Sequence, residues 1–252
     1  MNVVTKAAAV IEMLDNPCIL ILDGSNTGIA VQPGAHLDMP NCSAVANSIS
    51  TNAIALQDIT SSIAAATVVT AGEISMQGNP IDPFAARPQI ARGSPAMTGA
   101  PSIADPYAAT LTHTSLVAGM ASAPTCKSLN SGQISGNCKA DDWTVRSGHS
   151  VDLSPGTYWL TGELVVQPGG TLQGQGVTIV LTTNPTRGTV GTVDISSGSV
   201  VTLQAPNSGT FSGILFLQDP LASGSTNTLE GGTSMKLTGL LYFPKTTVCF
   251  PR

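Results

Sequence analysis

Charge is what this sequence has least of. Only 10% of its 252 residues are Asp, Glu, Lys or Arg, against about a quarter in an average soluble domain. The ten basic residues are scattered, with only Arg87 and Arg92 close together, and the net charge is -5. Binding of phosphate backbones needs a basic stripe, so no nucleic-acid partner is expected. Long apolar runs are missing too. The longest, Cys18-Ile19-Leu20-Ile21-Leu22, falls far short of the about 20 residues of a membrane-spanning helix, so the described sequence is not itself expected to span a membrane. No CxxC pair, Gly-x-Ser-x-Gly elbow, P-loop or dinucleotide fingerprint occurs. His36, His113 and His149 lie far apart in sequence, and neither a metal nor any other cofactor is expected.

What replaces charge is Ser, Thr, Gly, Asn and Gln alongside Ala, Val, Ile and Leu, which leaves the mean hydropathy at only +0.22. That mixture suits strands that bury one face and show neutral hydroxyls on the other. The 26 Gly and 17 Pro suit many tight turns. Disorder fits poorly, because β-branched residues are plentiful and net charge is small.

Residues 1–17 place Val3, Val4, Ala7, Ala8, Val10, Ile11 and Leu14 at helical spacing, which predicts a short N-terminal cap helix. Lys6 is the only early cation, and Glu12 and Asp15 interrupt the apolar stretch, so this is no signal peptide; an export signal is expected upstream. The five cysteines admit two readings. They are buried free thiols, or disulfides of an oxidising compartment, with Cys18–Cys42 and Cys126–Cys138 the natural local pairs and Cys249 left free or paired outside the chain. The 24-residue separation of Cys18 and Cys42 is near one turn of the repeat described next.

An internal repeat decides the fold class. Its frame is apolar, two residues, Gly, one residue, a small or polar residue, apolar, one residue, apolar. Copies begin at Val31, Val145, Val166, Ile195 and Leu229, and place turn glycines at Gly34, Gly148, Gly169, Gly198 and Gly232. A second strand opened by glycine follows each later copy: 156–160, 176–181, 213–217 and 239–243. Short period-2 strands joined by Gly bends, recurring at 21 to 34 residues, predict an all-β, right-handed parallel β-helix. An antiparallel sandwich is the alternative, but it would want Asn-Gly or Asp-Gly dipeptides between strands, and Asp23-Gly24 is the only such dipeptide. Residues 1–252 are read as one domain. A Pro/Ala-rich excursion over 79–125 interrupts the repeat, with a short helix near 107–111.

With the repeats laid out, the chain resembles the extracytoplasmic part of TadG-like proteins of the Flp/Tad pilus-assembly system. The resemblance rests on Cys18-Ile19-Leu20-Ile21-Leu22-Asp23, Pro40-Asn41-Cys42, Ala104-Asp105-Pro106, Leu153-Ser154-Pro155-Gly156-Thr157-Tyr158, residues 212–219, and above all residues 227–244. It implies a protein anchored by an upstream membrane helix, exported, and working with pilus-assembly or cell-surface proteins as a structural or adhesive part. It implies no catalytic residues. One departure stands out: Trp159 follows Tyr158 where the family often has Cys.

Two other functions are open to a β-helix. A polysaccharide-binding or polysaccharide-cleaving β-helix needs clustered carboxylates. The solvent-side row of the repeat (Asp38, Asp152, Gln173, Thr202, Lys236) holds none, and Asp141-Asp142 with Arg146 is the only local charge cluster. Tyr158, Trp159, Phe216, Tyr242 and Phe243 read as core aromatics or, alternatively, as a sugar platform. Ice binding needs a regular Thr array, whereas the relevant row reads His36, Ser150, Thr171, Val200, Ser234. Self-association is expected through an end coil left open by the C-terminus at Phe250-Pro251-Arg252.

Overall fold

The computed structural model describes residues 17–76, 96–127, 131–183, 188–222, 225–230 and 235–251, with the backbone alone of 89–90. The predicted N-terminal helix up to residue 16, Gly232 and the excursion residues 79–88 and 91–95 lie outside the described residues.

The chain is a parallel β-helix of three sheets, with ten, eight and five strands. One coil shows how sequence becomes structure. Ser150–Leu153 alternates exposed and buried side chains, Gly156–Leu160 follows after a bend, and Glu163–Val166 closes the turn. Each strand pairs in parallel with its equivalent one coil on. Several of the corners that lead into the third sheet require glycine. Gly148, Gly169 and Gly198 all have φ near the left-handed region (75°, 77° and 77°). They stack in register, Gly148 N donating to Gly169 O at 3.0 Å and Gly169 N to Gly198 O at 2.9 Å. A Cβ would strain the corner at each of these three positions. Gly34 has the same φ, 76°.

The interior is a set of apolar columns. Val151, Leu172, Val201 and Met235 face inward from neighbouring parallel strands. In the first sheet the inward column runs Tyr158, Ile179, Phe216, Leu241, Ile19, Ala44, Val68. All are in one hydrophobic cluster, and each fully buried large side chain contributes about 1.5–3 kcal/mol.

Chain order and stacking order differ. The strand Pro17–Ile21 lies between Leu240–Phe243 and His36–Ala46. From there the coils advance through Ser62–Thr70 to Ala96–Met97. The chain then returns along the outside to the opposite end and winds a second run of coils from Gly132–Ile134 up to the first. The C-terminal strand Thr247–Phe250 is consequently paired on both sides, with Thr226–Leu229 and with Ile29–Val31. This corrects the expectation of an open C-terminal end coil: the last coil lies inside the stack.

The returning segment is a strap over the first sheet. Leu111, Leu116 and Ala123 from the strap pack on Leu20, Val45, Trp159, Val180 and Tyr242, forming a second core outside the coil. Its helix is His113–Val117, capped by Thr112, whose hydroxyl accepts from Ser115 N. The predicted helix at 107–111 is instead a turn that Leu111 N closes onto Tyr107 O at 2.7 Å.

Candidate functional site

The third sheet presents its outer side to solvent. Register places Gln133, Asp152, Gln173, Thr202 and Lys236 in one row across five strands, and all five are exposed. Gln175, Gln204 and Thr238 form a second exposed row beside it. Strands repeat at about 4.8 Å, so this face offers a ladder of mostly neutral donors and acceptors, with Asp152 and Lys236 the charged members of the first row. The first row holds a single carboxylate, Asp152, and therefore does not supply the convergent pair that acid/base chemistry uses. The small-polar row brings Ser150, Thr171 and Val200 together, but His36 pairs with Ser62 on another part of the stack.

The charged candidates hold the coils together. Thr161 donates its hydroxyl to Asp141, and Glu163 N donates to Asp142 Oδ1 at 3.0 Å. Both aspartates thus fasten the corner of the next coil. Partial burial pushes the Glu163 carboxyl up from its ordinary value, and the charges of Asp194 and Asp142 push the same way. His36 Nδ1 lies 2.7 Å from Ser62 Oγ on the neighbouring strand, and His149 Nδ1 lies 3.1 Å from Ser147 O. His113 has a partner that sequence reasoning missed. Its Nδ1 is 2.6 Å from Asp219 Oδ2, and the same buried oxygen accepts from Thr182 Oγ1 at 2.7 Å. The 106-residue separation hid this pair.

The five singled-out aromatics are all buried. Tyr158, Phe216 and Phe243 fill the coil, Phe216 and Phe243 stacking at 6.5 Å. Trp159 and Tyr242 point outward but under the strap, where Trp159 Nε1 donates to Leu116 O at 2.8 Å. Beside them, a mostly apolar groove of about 820 Å³ runs between strap and sheet. Pro17, Leu20, Val45, Ile103 and Leu240 line it, with the Cys18–Cys42 pair at its side.

Cys18 is bonded to Cys42 (Cα–Cα 5.5 Å) and Cys126 to Cys138 (4.9 Å). The first clips two neighbouring coils, and the second fastens the end of the strap to Cys138–Ala140, the end strand of the first sheet. Cys249 is free, and burial pushes its thiol up. Among the described residues no three His, Cys, Asp or Glu side chains gather as a metal site, and no helix is long and apolar enough to cross a membrane. No family model, curated protein or solved structure matches the chain.

Proposed function

We propose that this chain is a non-enzymatic, extracytoplasmic structural or adhesive component that works with a pilus or another cell-surface assembly, its ligand face being the outer side of the third sheet. The observation that carries the reading is the five-strand row of Gln133, Asp152, Gln173, Thr202 and Lys236, exposed and in register on a rigid stack. Such a face binds by many weak, geometrically repeated contacts rather than by a pocket. Two disulfides suit an oxidising compartment, and the resemblance to TadG-like proteins of the Flp/Tad system points to the same setting.

The test is retention of Flp/Tad-type pili and of pilus-deficient envelopes on the immobilised, oxidised protein. Retention of pili, weakened at least tenfold by Gln173→Glu with Thr202→Glu, is expected. Equal retention by both materials, or release of oligosaccharide from uronic-acid or neutral polysaccharides, overturns the reading; the second result would favour a carbohydrate-cleaving β-helix.

A further inference from the structure

A second groove, of about 690 Å³, opens on the outer side of the first sheet beside the strap helix. Thr157 and Thr178, paired on neighbouring strands, lie on its floor. The strap over 115–119 forms one wall and the loop 206–211 the other. Both walls are fastened. Trp159 Nε1 holds the strap through Leu116 O, and the Ser115 hydroxyl is taken up by Thr110 O at 2.6 Å. The loop closes on itself, Gly213 N donating to Pro206 O at 2.7 Å. Thr178 Oγ1 ties it to the floor by donating to Ile214 O at 2.8 Å. The groove is therefore formed before any ligand arrives, and binding carries little ordering cost.

The lining decides the ligand. None of its 16 residues is ionisable, so a phosphate, carboxylate or amine would lose its hydration there with no opposite charge in exchange. Thr157, Asn207, Ser208 and Thr210 still offer three hydroxyls and an amide, and among the described residues these side chains take no hydrogen-bond partner. Each can both donate and accept. Partly buried Phe211 adds apolar surface beside them. The matching ligand is uncharged, dense in donors and acceptors, and bears C–H faces. We propose that this groove binds a neutral glycan, with room for about two sugar rings. A neutral peptide is the competing class, but recognition through its main chain needs a free sheet edge. The floor strands Gly156–Leu160 and Val177–Leu181 are each paired on both sides. With no titratable group in the lining, acid/base cleavage has no agent, so the glycan is held and not cut. The groove is on a different sheet from the exposed Gln/Thr row, and its occupancy is independent of what that row binds.

The test titrates the oxidised full chain with cellobiose, maltose, lactose and chitobiose, and with digalacturonic acid as the charged counterpart, following backbone amide resonances by NMR. At least one neutral disaccharide should bind saturably, with a Kd on the order of 1 mM. Amides of Thr157 and of 207–210 should move, while those of Asp152, Gln173 and Thr202 stay still. Digalacturonic acid should bind at least tenfold more weakly. Asn207→Ala and Thr157→Val should each weaken the neutral sugar about fivefold, and the shift map of the unmodified protein decides the matter if a variant fails to fold. Gln173→Glu with Thr202→Glu should leave sugar binding unchanged, which separates a failure of this groove from a failure of the third-sheet face. The proposal is overturned if no neutral disaccharide gives saturable shifts, or if the shifts fall on the third sheet. Equal binding of digalacturonic acid would overturn it too. So would a neutral Ser/Gly peptide that moves the same amides with equal affinity, since the groove would then be a peptide site.

Discussion

The phenol of Tyr242 donates a 2.7 Å hydrogen bond to Asp105 Oδ2 from 137 residues away, joining the first sheet to the strap. Tyr107 packs edge-on against the same ring at 5.4 Å. Burial first, then the Asp105 carboxylate, pushes the Tyr242 phenol well above its ordinary value of 10.0, and burial does the same for Tyr158. A tyrosine whose folded value is raised contributes stability below its unfolded value and loses it as pH climbs beyond. The urea midpoint is therefore expected to fall above about pH 10. Tyr242→Phe should cost about 1–2 kcal/mol at pH 7 and soften the alkaline fall, as read by urea titrations from pH 8 to 11.5.

Thiol chemistry offers a second check. The disulfides close loops of 24 and 12 residues, and each is expected to contribute about 3 kcal/mol. Cys126→Ser with Cys138→Ser should therefore lower the denaturant midpoint clearly. Cys249, partly buried and with its thiol pushed up, should react with maleimide at pH 7.5 at least tenfold more slowly than a free cysteine. Intact-mass analysis would show one slowly labelled thiol in the native protein, and five rapid ones after reduction and unfolding.

Asn227 occupies an inward position of the second sheet, between apolar neighbours, and is fully buried. Its Oδ1 accepts from Val193 N at 3.1 Å, and its Nδ2 donates to Gln218 Oε1 at 3.3 Å and Thr246 Oγ1 at 3.0 Å. Asn227→Leu would fill the space yet leave Val193 N and part of Gln218 without partners. A loss of about 2–4 kcal/mol is expected in equilibrium unfolding. An unchanged midpoint would show that the network adds nothing net.

Asn227 also shows where sequence reasoning reached its limit. The first and third sheets were legible because many of their strands follow a left-handed glycine and are either continuously apolar or cleanly alternating: the predicted strand at 156–160 is Gly156–Leu160, and 239–243 contains Leu240–Phe243. The second-sheet strand Thr226–Leu229 was hidden because its inward position 227 is Asn, although its burial alternates like that of its neighbours. Stacking order was hidden for a different reason. A local repeat says that coils stack but not which coil is the neighbour, so the pairing of Ile19 with Leu241 could not be read from it. The exposed row of Asp152, Gln173, Thr202 and Lys236 was predictable, since every member shares one repeat position. Covering of Trp159 and Tyr242 was not, because it depends on a strap whose Pro-rich sequence has no periodicity.

That strap supplies the last prediction. Trp159 is its central anchor: the indole donates to Leu116 O, and Gly119 lies so close that an added Cβ would sit 2.6 Å from the ring. Asn47 holds the upstream part through two bonds with the backbone of Ile103, at 2.7 and 2.8 Å, and Cys126–Cys138 holds the far end. Trp159→Ala removes both the donor and the ring, so the middle of the strap should lift while its ends stay fixed. The coils, stabilised by their own interior core, should keep their strand content. Limited proteolysis should therefore cut within 108–122 at least tenfold faster in Trp159→Ala, with the far-ultraviolet dichroism unchanged. Trp159→Phe, which keeps most of the packing and loses only the N–H, should lie between, at a cost of about 1 kcal/mol. Gly119→Ala should act like Trp159→Ala in part, because the backbone approach leaves no room for a methyl group. Loss of strand content alongside strap cleavage would show instead that the outer core and the coil fold as one unit.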